Sequence, residues 1–161
     1  MRHIISVLVR NHPGVLSHVV GLFTRRSYNI ESLAAGVTEH PEITRITIVV
    51  TGDEQVLDQV MKQVNKLVDV LKVGDLKYRQ AITRELAIIT VKAGSKSRHE
   101  VIEIANVFGA KVVDMSEDTI TLELSGTERA LQNMVRLLNP FGIEEMARTG
   151  TIALSMKSSE Q

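Results

Sequence analysis

Asn11-His12-Pro13-Gly14-Val15-Leu16 and, further along, Asn29-Ile30 are the residues whose types and spacing could do chemistry. Pro13 and Gly14 turn the chain out of an apolar run and into a helical pattern. The first N–H groups of a helix have no partner inside it, and such a terminus attracts a carboxylate. Val15 and Leu16 stand beside it as an apolar wall. The side-chain amides of Asn11 and Asn29 can serve an ammonium or a carboxylate. Free backbone donors, two amides and an apolar wall are what a small aliphatic amino acid requires. Asn29 is expected near the Asn11 loop, on the expectation that the second strand pairs beside the first. Without a ligand, the same Asn residues read as ordinary turn residues and Pro-Gly as an ordinary turn. Residue chemistry alone leaves the two readings level.

Other chemistries find no support. The sequence has no GxGxxG and no P-loop, so no phosphate cradle is signalled. Histidines 3, 12, 18, 40 and 99 form no HExxH or comparable ligand spacing. There is no GxSxG elbow for a serine nucleophile. Glu144 and Glu145 are neighbours on a strand pattern, so their carboxylates face opposite ways and do not form an acid/base pair. Arg25 and Arg26 close the first helical pattern, where cations complement the helix dipole. With Cys 0 in the composition, disulfides, thiolate metal sites and a cysteine nucleophile are excluded together.

The elements that must position the Asn loop follow from hydrophobic periodicity. His3 to Arg10 is a β-rich run, followed by a helix with Val15, Leu16, Val19, Val20, Leu22 and Phe23 on one face. Ile30 to Glu39 and Ile43 to Thr51 are strands about the turn His40-Pro41-Glu42. Asp53 caps a helix whose stripe is Val56, Val60, Met61, Val64 and Leu67. Val68 to Lys77 closes a βαββαβ order. The polar stretch Asp75 to Arg84 joins it to a second pass through the same order. That pass begins with a strand, Glu85 to Ala93. A capping box at Ser97 and Glu100 starts a helix that Gly109 ends. Strands at 111–115 and 119–125 follow, then a helix capped by Thr127 and ended by Pro140. The last strand, Ile143 to Met156, has a bend at Gly150. The tail 157–161 is polar and expected to fray.

The fold class is therefore α+β, two tandem ferredoxin-like βαββαβ modules, at residues 1–78 and 79–161. Both helices of each module lie on one side of its sheet, which leaves the other face bare. A module of that size buries a small core and gains by pairing, so a homodimer through the modules is expected. Lys+Arg and Asp+Glu both count 19, a net charge of zero that disfavours nucleic acid. Aromatics at 3% are too few for base stacking. No apolar stretch is long enough for a membrane span or a signal peptide. The expected location is cytoplasmic, with no membrane or nucleic-acid partner.

At these residues the sequence resembles the ACT domain family, amino-acid-sensing modules of βαββαβ form. The family pattern of a polar residue, x, Pro-Gly-Val/Leu-Leu and a later Asn-Ile stands as Asn11 to Leu16 and Asn29-Ile30. Gly14 to Ser17, Gly21 to Phe23, Arg26-Ser27-Tyr28-Asn29-Ile30-Glu31-Ser32-Leu33, Lys66 to Val70 and Arg84 to Leu86 are similar to the acetolactate (acetohydroxyacid) synthase small-subunit family over nearly the whole chain. The resemblance implies a non-catalytic regulatory subunit for the first common step of branched-chain amino acid synthesis. The chain itself would hold no cofactor; its catalytic large-subunit partner would carry thiamine diphosphate, Mg and FAD. The small subunit would raise the partner's activity and confer feedback inhibition by valine, held between two modules of a dimer. Carried over onto this sequence, the effector-binding residues are Asn11, Pro13, Gly14, Val15, Leu16, Asn29 and Ile30, with no catalytic or metal residue. Gly36 stands where the family often has alanine, near the site. The second module lacks the Pro-Gly and Asn-Ile pair, carrying Ala93-Gly94-Ser95-Lys96-Ser97 instead, so no effector is assigned to it. A stand-alone ACT-type sensor acting on another enzyme or on transcription is the alternative.

Overall fold

The computed structural model describes residues 1–26 and 28–160. Ser27 of the resemblance motif and Gln161 of the polar tail lie outside the described residues. The elements are β1 (Arg2–Arg10), α1 (Val15–Arg25), β2 (Asn29–Val37), β3 (Ile43–Thr51), α2 (Glu54–Asn65), β4 (Val70–Leu76), β5 (Ala81–Lys92), α3 (Arg98–Phe108), β6 (Lys111–Met115), β7 (Thr119–Gly126), α4 (Glu128–Leu138), β8 (Ile143–Arg148) and β9 (Ile152–Ser155). They fall into two compact units, residues 1–82 together with 151–161, and residues 83–150. The change of unit thus lies at 82/83, four residues beyond the boundary expected at 78/79, and the C-terminal segment goes with the first unit.

In the first unit the strand order is β2-β3-β1-β4, all pairs antiparallel. Alternation sends Ile5, Val7 and Val9 of β1, and Ile46, Ile48 and Val50 of β3, toward the helices. There they meet Val15, Val19 and Phe23 of α1 and Leu57, Val60 and Val64 of α2. Each such side chain, fully buried, contributes about 1.5–3 kcal/mol. Val60 and Val64 of the expected α2 stripe are fully buried, Val56, Met61 and Leu67 pack at its margin, and Leu57, not expected there, joins the core. Asp53 caps that helix as expected, its Oδ1 accepting the Gln55 N–H at 2.8 Å.

The second unit repeats the pattern as β6-β7-β5-β8. Ala87, Ile89 and Val91 of β5 and Ile120, Leu122 and Leu124 of β7 pack beneath α3 and α4. Thr127 caps α4 through the Ala130 N–H, and Gly109 closes α3 in the left-handed region at φ 71°. The box expected at Ser97 and Glu100 does not form. Ser97 makes no side-chain cap bond, because the turn from Gly94 already holds it at φ −109°, ψ −6°. A capping hydroxyl needs an extended backbone at that position.

Two further expectations are corrected. β5 starts at Ala81, so the joining stretch shrinks to a single 3-10 turn at Tyr78–Gln80. The expected last strand from 143 to 156 is two strands, parted at Thr149-Gly150. The second of them, β9, pairs with β5 and carries Ala153 onto Ile4 and Val49, with Leu76 beside them. Ile4 and Val49 are fully buried. The sheet face away from α1 and α2 is therefore covered there by the chain's own end, not bare.

Candidate effector site

β1 ends at Arg10, and the chain turns into α1 through Asn11 to Gly14. Two backbone bonds shape this loop: Asn11 N–H donates to the Glu42 carbonyl and His12 N–H to that of Arg10, both at 2.8 Å. His12 Nδ1 lies 2.9 Å from Asp69 Oδ1, which ties the loop to the segment entering β4. Gly14 sits at the N-cap of α1 with φ 85° and ψ −9°. An L side chain is strained there, so glycine suits the position. Gly14 offers no side chain to cap α1, and the Val15 N–H donates to the His12 carbonyl at 3.4 Å.

Beside this terminus lies a cleft of about 290 Å³, lined by Val9, Arg10, Asn11, His12, Val15, Leu16, Ala35, Gly36, Val37, Thr44 and Ile46. Its floor is aliphatic and its rim polar, and Asn11 and Leu16 are exposed at its edge. Among the expected site residues, Asn11, Val15 and Leu16 line the cleft, and Pro13 and Gly14 form the turn that opens it. Gly36, singled out in the sequence, lies on its wall.

Asn29 and Ile30 are not there. β3 stands between β2 and β1, contrary to the expectation that β2 pairs beside β1. The short turn after Val37 makes β2 and β3 a hairpin, and β3 takes the edge of β1 where β2 was expected. In register, Asn29 is opposite Thr51, and Thr51 is opposite Arg2. Arg10, next to Asn11, is opposite Ile43. From Arg2 to Arg10 a strand rises about 27 Å. Asn11 and Asn29 of one chain therefore stand at opposite ends of the same sheet.

The Asn29 end has its own architecture. The β2–β3 register shifts between Ile30 and Ser32, which makes Glu31 a bulge residue. Glu31 accepts from the Thr51 hydroxyl and from Arg2 Nε, each at 2.6 Å. The Thr51 hydrogen bond holds its carboxyl below the ordinary glutamate value against the opposing cost of desolvation, with the Arg2 charge helping.

Reasoning from sequence missed Val9, Arg10, Ala35, Val37, Thr44 and Ile46 as cleft residues. The turn between β2 and β3 was the available signal, because a hairpin there carries the C-terminal half of β2 back toward the Asn11 loop. Among the described residues no group of three His, Cys, Asp or Glu side chains could hold a metal ion, and no helix is long and apolar enough to cross a membrane.

Comparison with known proteins bears on the family and the fold. Residues 5–72 match a family described as an AHAS small subunit-like ACT domain, and residues 84–157 match one described as the small subunit of acetolactate synthase. The chain is 46% identical over 154 residues to a probable acetolactate synthase small subunit of Archaeoglobus fulgidus, spanning 96% of each chain. It is 44% identical over 153 residues to the acetolactate synthase small subunit of Mycolicibacterium smegmatis, spanning 95% of this chain and 90% of that one. The crystal structure of the acetolactate synthase small subunit from Thermotoga maritima superposes with a TM-score of 0.89 at 34% identity, over 96% of this chain and 97% of the other. Both ferredoxin-like units therefore have their place in a known frame: the chain belongs to the acetolactate synthase small-subunit family, ACT-domain subunits that regulate and do not catalyse.

Proposed function

We propose that two copies of this chain pair through their first units and bind valine between them, and that this cytoplasmic dimer raises the activity of the acetolactate synthase catalytic subunit and makes it valine-sensitive. The thiamine diphosphate, Mg and FAD belong to that catalytic partner. The observation that carries the reading is the separation of Asn11 from Asn29. One chain cannot bring both amides to one ligand, and a twofold pair can. β2 is an edge strand running from Asn29 to Val37. Antiparallel pairing of two β2 edges about a twofold axis near Leu33 sets Asn29 of one copy against Val37 of the other. Val37 lines the Asn11 cleft. Each of two equivalent sites then takes the α1 terminus, Asn11 and the aliphatic floor from one chain and Asn29 from its partner, as isologous symmetry requires. The valine carboxylate faces the first-turn N–H groups of α1, and its isopropyl group meets Val15 and Leu16.

Complementation tests this arrangement. Asn11→Ala and Asn29→Ala dimers should each lose valine binding by calorimetry and valine inhibition of acetolactate formation by the reconstituted enzyme. After subunit exchange, half of an equimolar mixture is mixed dimer with one intact site, so about a quarter of the valine stoichiometry should return. A mixture that recovers nothing defeats the shared site. Valine binding without any effect on the catalytic subunit would instead identify a sensor for another system.

A further inference from the structure

Between β8 and β9 the chain changes partners within three residues. Thr149 N–H donates to the Leu86 carbonyl at 2.9 Å, and Leu86 N–H donates to Thr149 Oγ1 at 3.0 Å. Thr149 and Leu86 both belong to the second unit. One glycine later, Thr151 N–H donates to Ser32 Oγ at 2.7 Å. That bond lies in the first unit, on β2. From there the segment alternates as a strand should. Thr151 and Ala153 are buried, each 4% exposed, while Ile152 and Leu154 are 59% and 57% exposed. Ala153 seats on Ile4 and Val49. The Met156 N–H ends the run by donating to the Gln80 carbonyl at 2.7 Å.

Ser32 is specially placed to receive this segment. It follows the bulge at Glu31, and bulges re-aim the side chains beside them. Ser32 also lies between the two parts of β2 assigned to the effector, Asn29 at one end and Gly36-Val37 at the other. Any rearrangement of β2 therefore acts on the Thr151 bond. Thr151 is joined through Gly150 to residues hydrogen-bonded within the second unit.

We propose that residues 151–156 are a strap that reads the state of β2 and passes it along the backbone into β8 of the second unit. The proposal rests on the reading that the effector binds along β2. It makes the strap a relay, distinct from the effector site, since neither Ser32 nor Ala153 lines the cleft.

The test uses the full chain reconstituted with its catalytic subunit. Ser32→Ala removes the acceptor of the Thr151 N–H, Ser32→Thr keeps a hydroxyl, and Ala153→Asp puts a carboxylate into the apolar seat. Valine binding to the regulatory chain alone is read by calorimetry, and valine inhibition by acetolactate formation. Ser32→Ala and Ala153→Asp should bind valine within about twofold of the unaltered chain yet need at least about tenfold more valine for half-inhibition, in the range of ordinary allosteric coupling. Ser32→Thr should restore the response. If the unaltered chain responds to valine and both disrupting variants respond equally well, the strap is refuted alone. Variants that lose valine binding as well as inhibition refute the relay, because the strap would then be part of the site. An unaltered chain that neither binds nor responds to valine overturns the effector reading and the strap with it.

Discussion

Glu31 and Thr51 share a hydrogen bond of 2.6 Å across the β2–β3 bulge, and Arg2 closes on the other carboxylate oxygen at the same distance. A residue left over by strand pairing is thus tied to both inner strands of the sheet. The carboxyl is held below its ordinary value, first by the Thr51 hydroxyl. A group with a lowered folded pKa contributes stability above its unfolded pKa, and that contribution fades as pH falls through the folded value. Glu31→Gln should therefore lower the urea midpoint at pH 7, and the difference from the unaltered chain should shrink toward pH 3, below the ordinary glutamate value of about 4.3. The pair is about a third exposed, so the effect at neutral pH should stay below about 1 kcal/mol.

Gly52 lies against the edge of the Tyr28 ring, where a Cβ would collide with ring carbons. The ring has little freedom to yield. It is buried, its hydroxyl donates to the Asp53 carbonyl, and its edge meets Phe23 at 6.5 Å between centroids and 80° between planes. Burial, then the Asp53 and Asp58 charges, raise the phenol pKa, which keeps the hydroxyl a donor. Gly52→Ala should cost about 1–3 kcal/mol as an overpacked site. Gly74→Ala, where a Cβ meets nothing within 4 Å, should change stability by less than about 0.5 kcal/mol. Chemical denaturation of both variants checks the contrast.

Helix caps offer a second contrast. Asp53 and Thr127 each accept a first-turn N–H, whereas Ser97 caps nothing. Asp53→Ala and Thr127→Ala should each destabilise by about 1 kcal/mol. Ser97→Ala should stay within about 0.5 kcal/mol. Equal losses at Ser97 and Thr127 in denaturant titrations would contradict the structure at Ser97.

Gly36 has open space where a Cβ would stand and lies on the wall of the cleft. A valine there should fold normally and occupy volume that the effector needs. Gly36→Val should weaken valine binding about tenfold, or about 1.4 kcal/mol, with the denaturation midpoint little changed. Calorimetry beside a denaturant titration separates the two effects.

Much of this protein was legible before folding was considered. Periodicities of two and 3.6 placed the strands and helices of both units, because each element buries one face and exposes the other. Asp53, Thr127 and Gly109 were recognisable as caps because their local chemistry suffices. The same reading failed at Ser97, where a turn from three residues upstream sets the backbone. The Asn11 loop and its helix terminus were likewise local, written in Pro13 and Gly14. The position of Asn29 was not local. It depended on β3 entering between β2 and β1, a choice made by long-range strand pairing that leaves no mark at Asn29 itself. Nor did any residue from 151 to 156 announce that the chain would leave its own repeat and seat Ala153 over Ile4 and Val49. Sequence by itself determined the elements, the uncapped α1 terminus and the family, because those are properties of neighbours along the chain. Only the tertiary structure decided which ends of the sheet the two asparagines occupy and where the C-terminal strand lies, because strand order and register are settled by burial summed over distant segments.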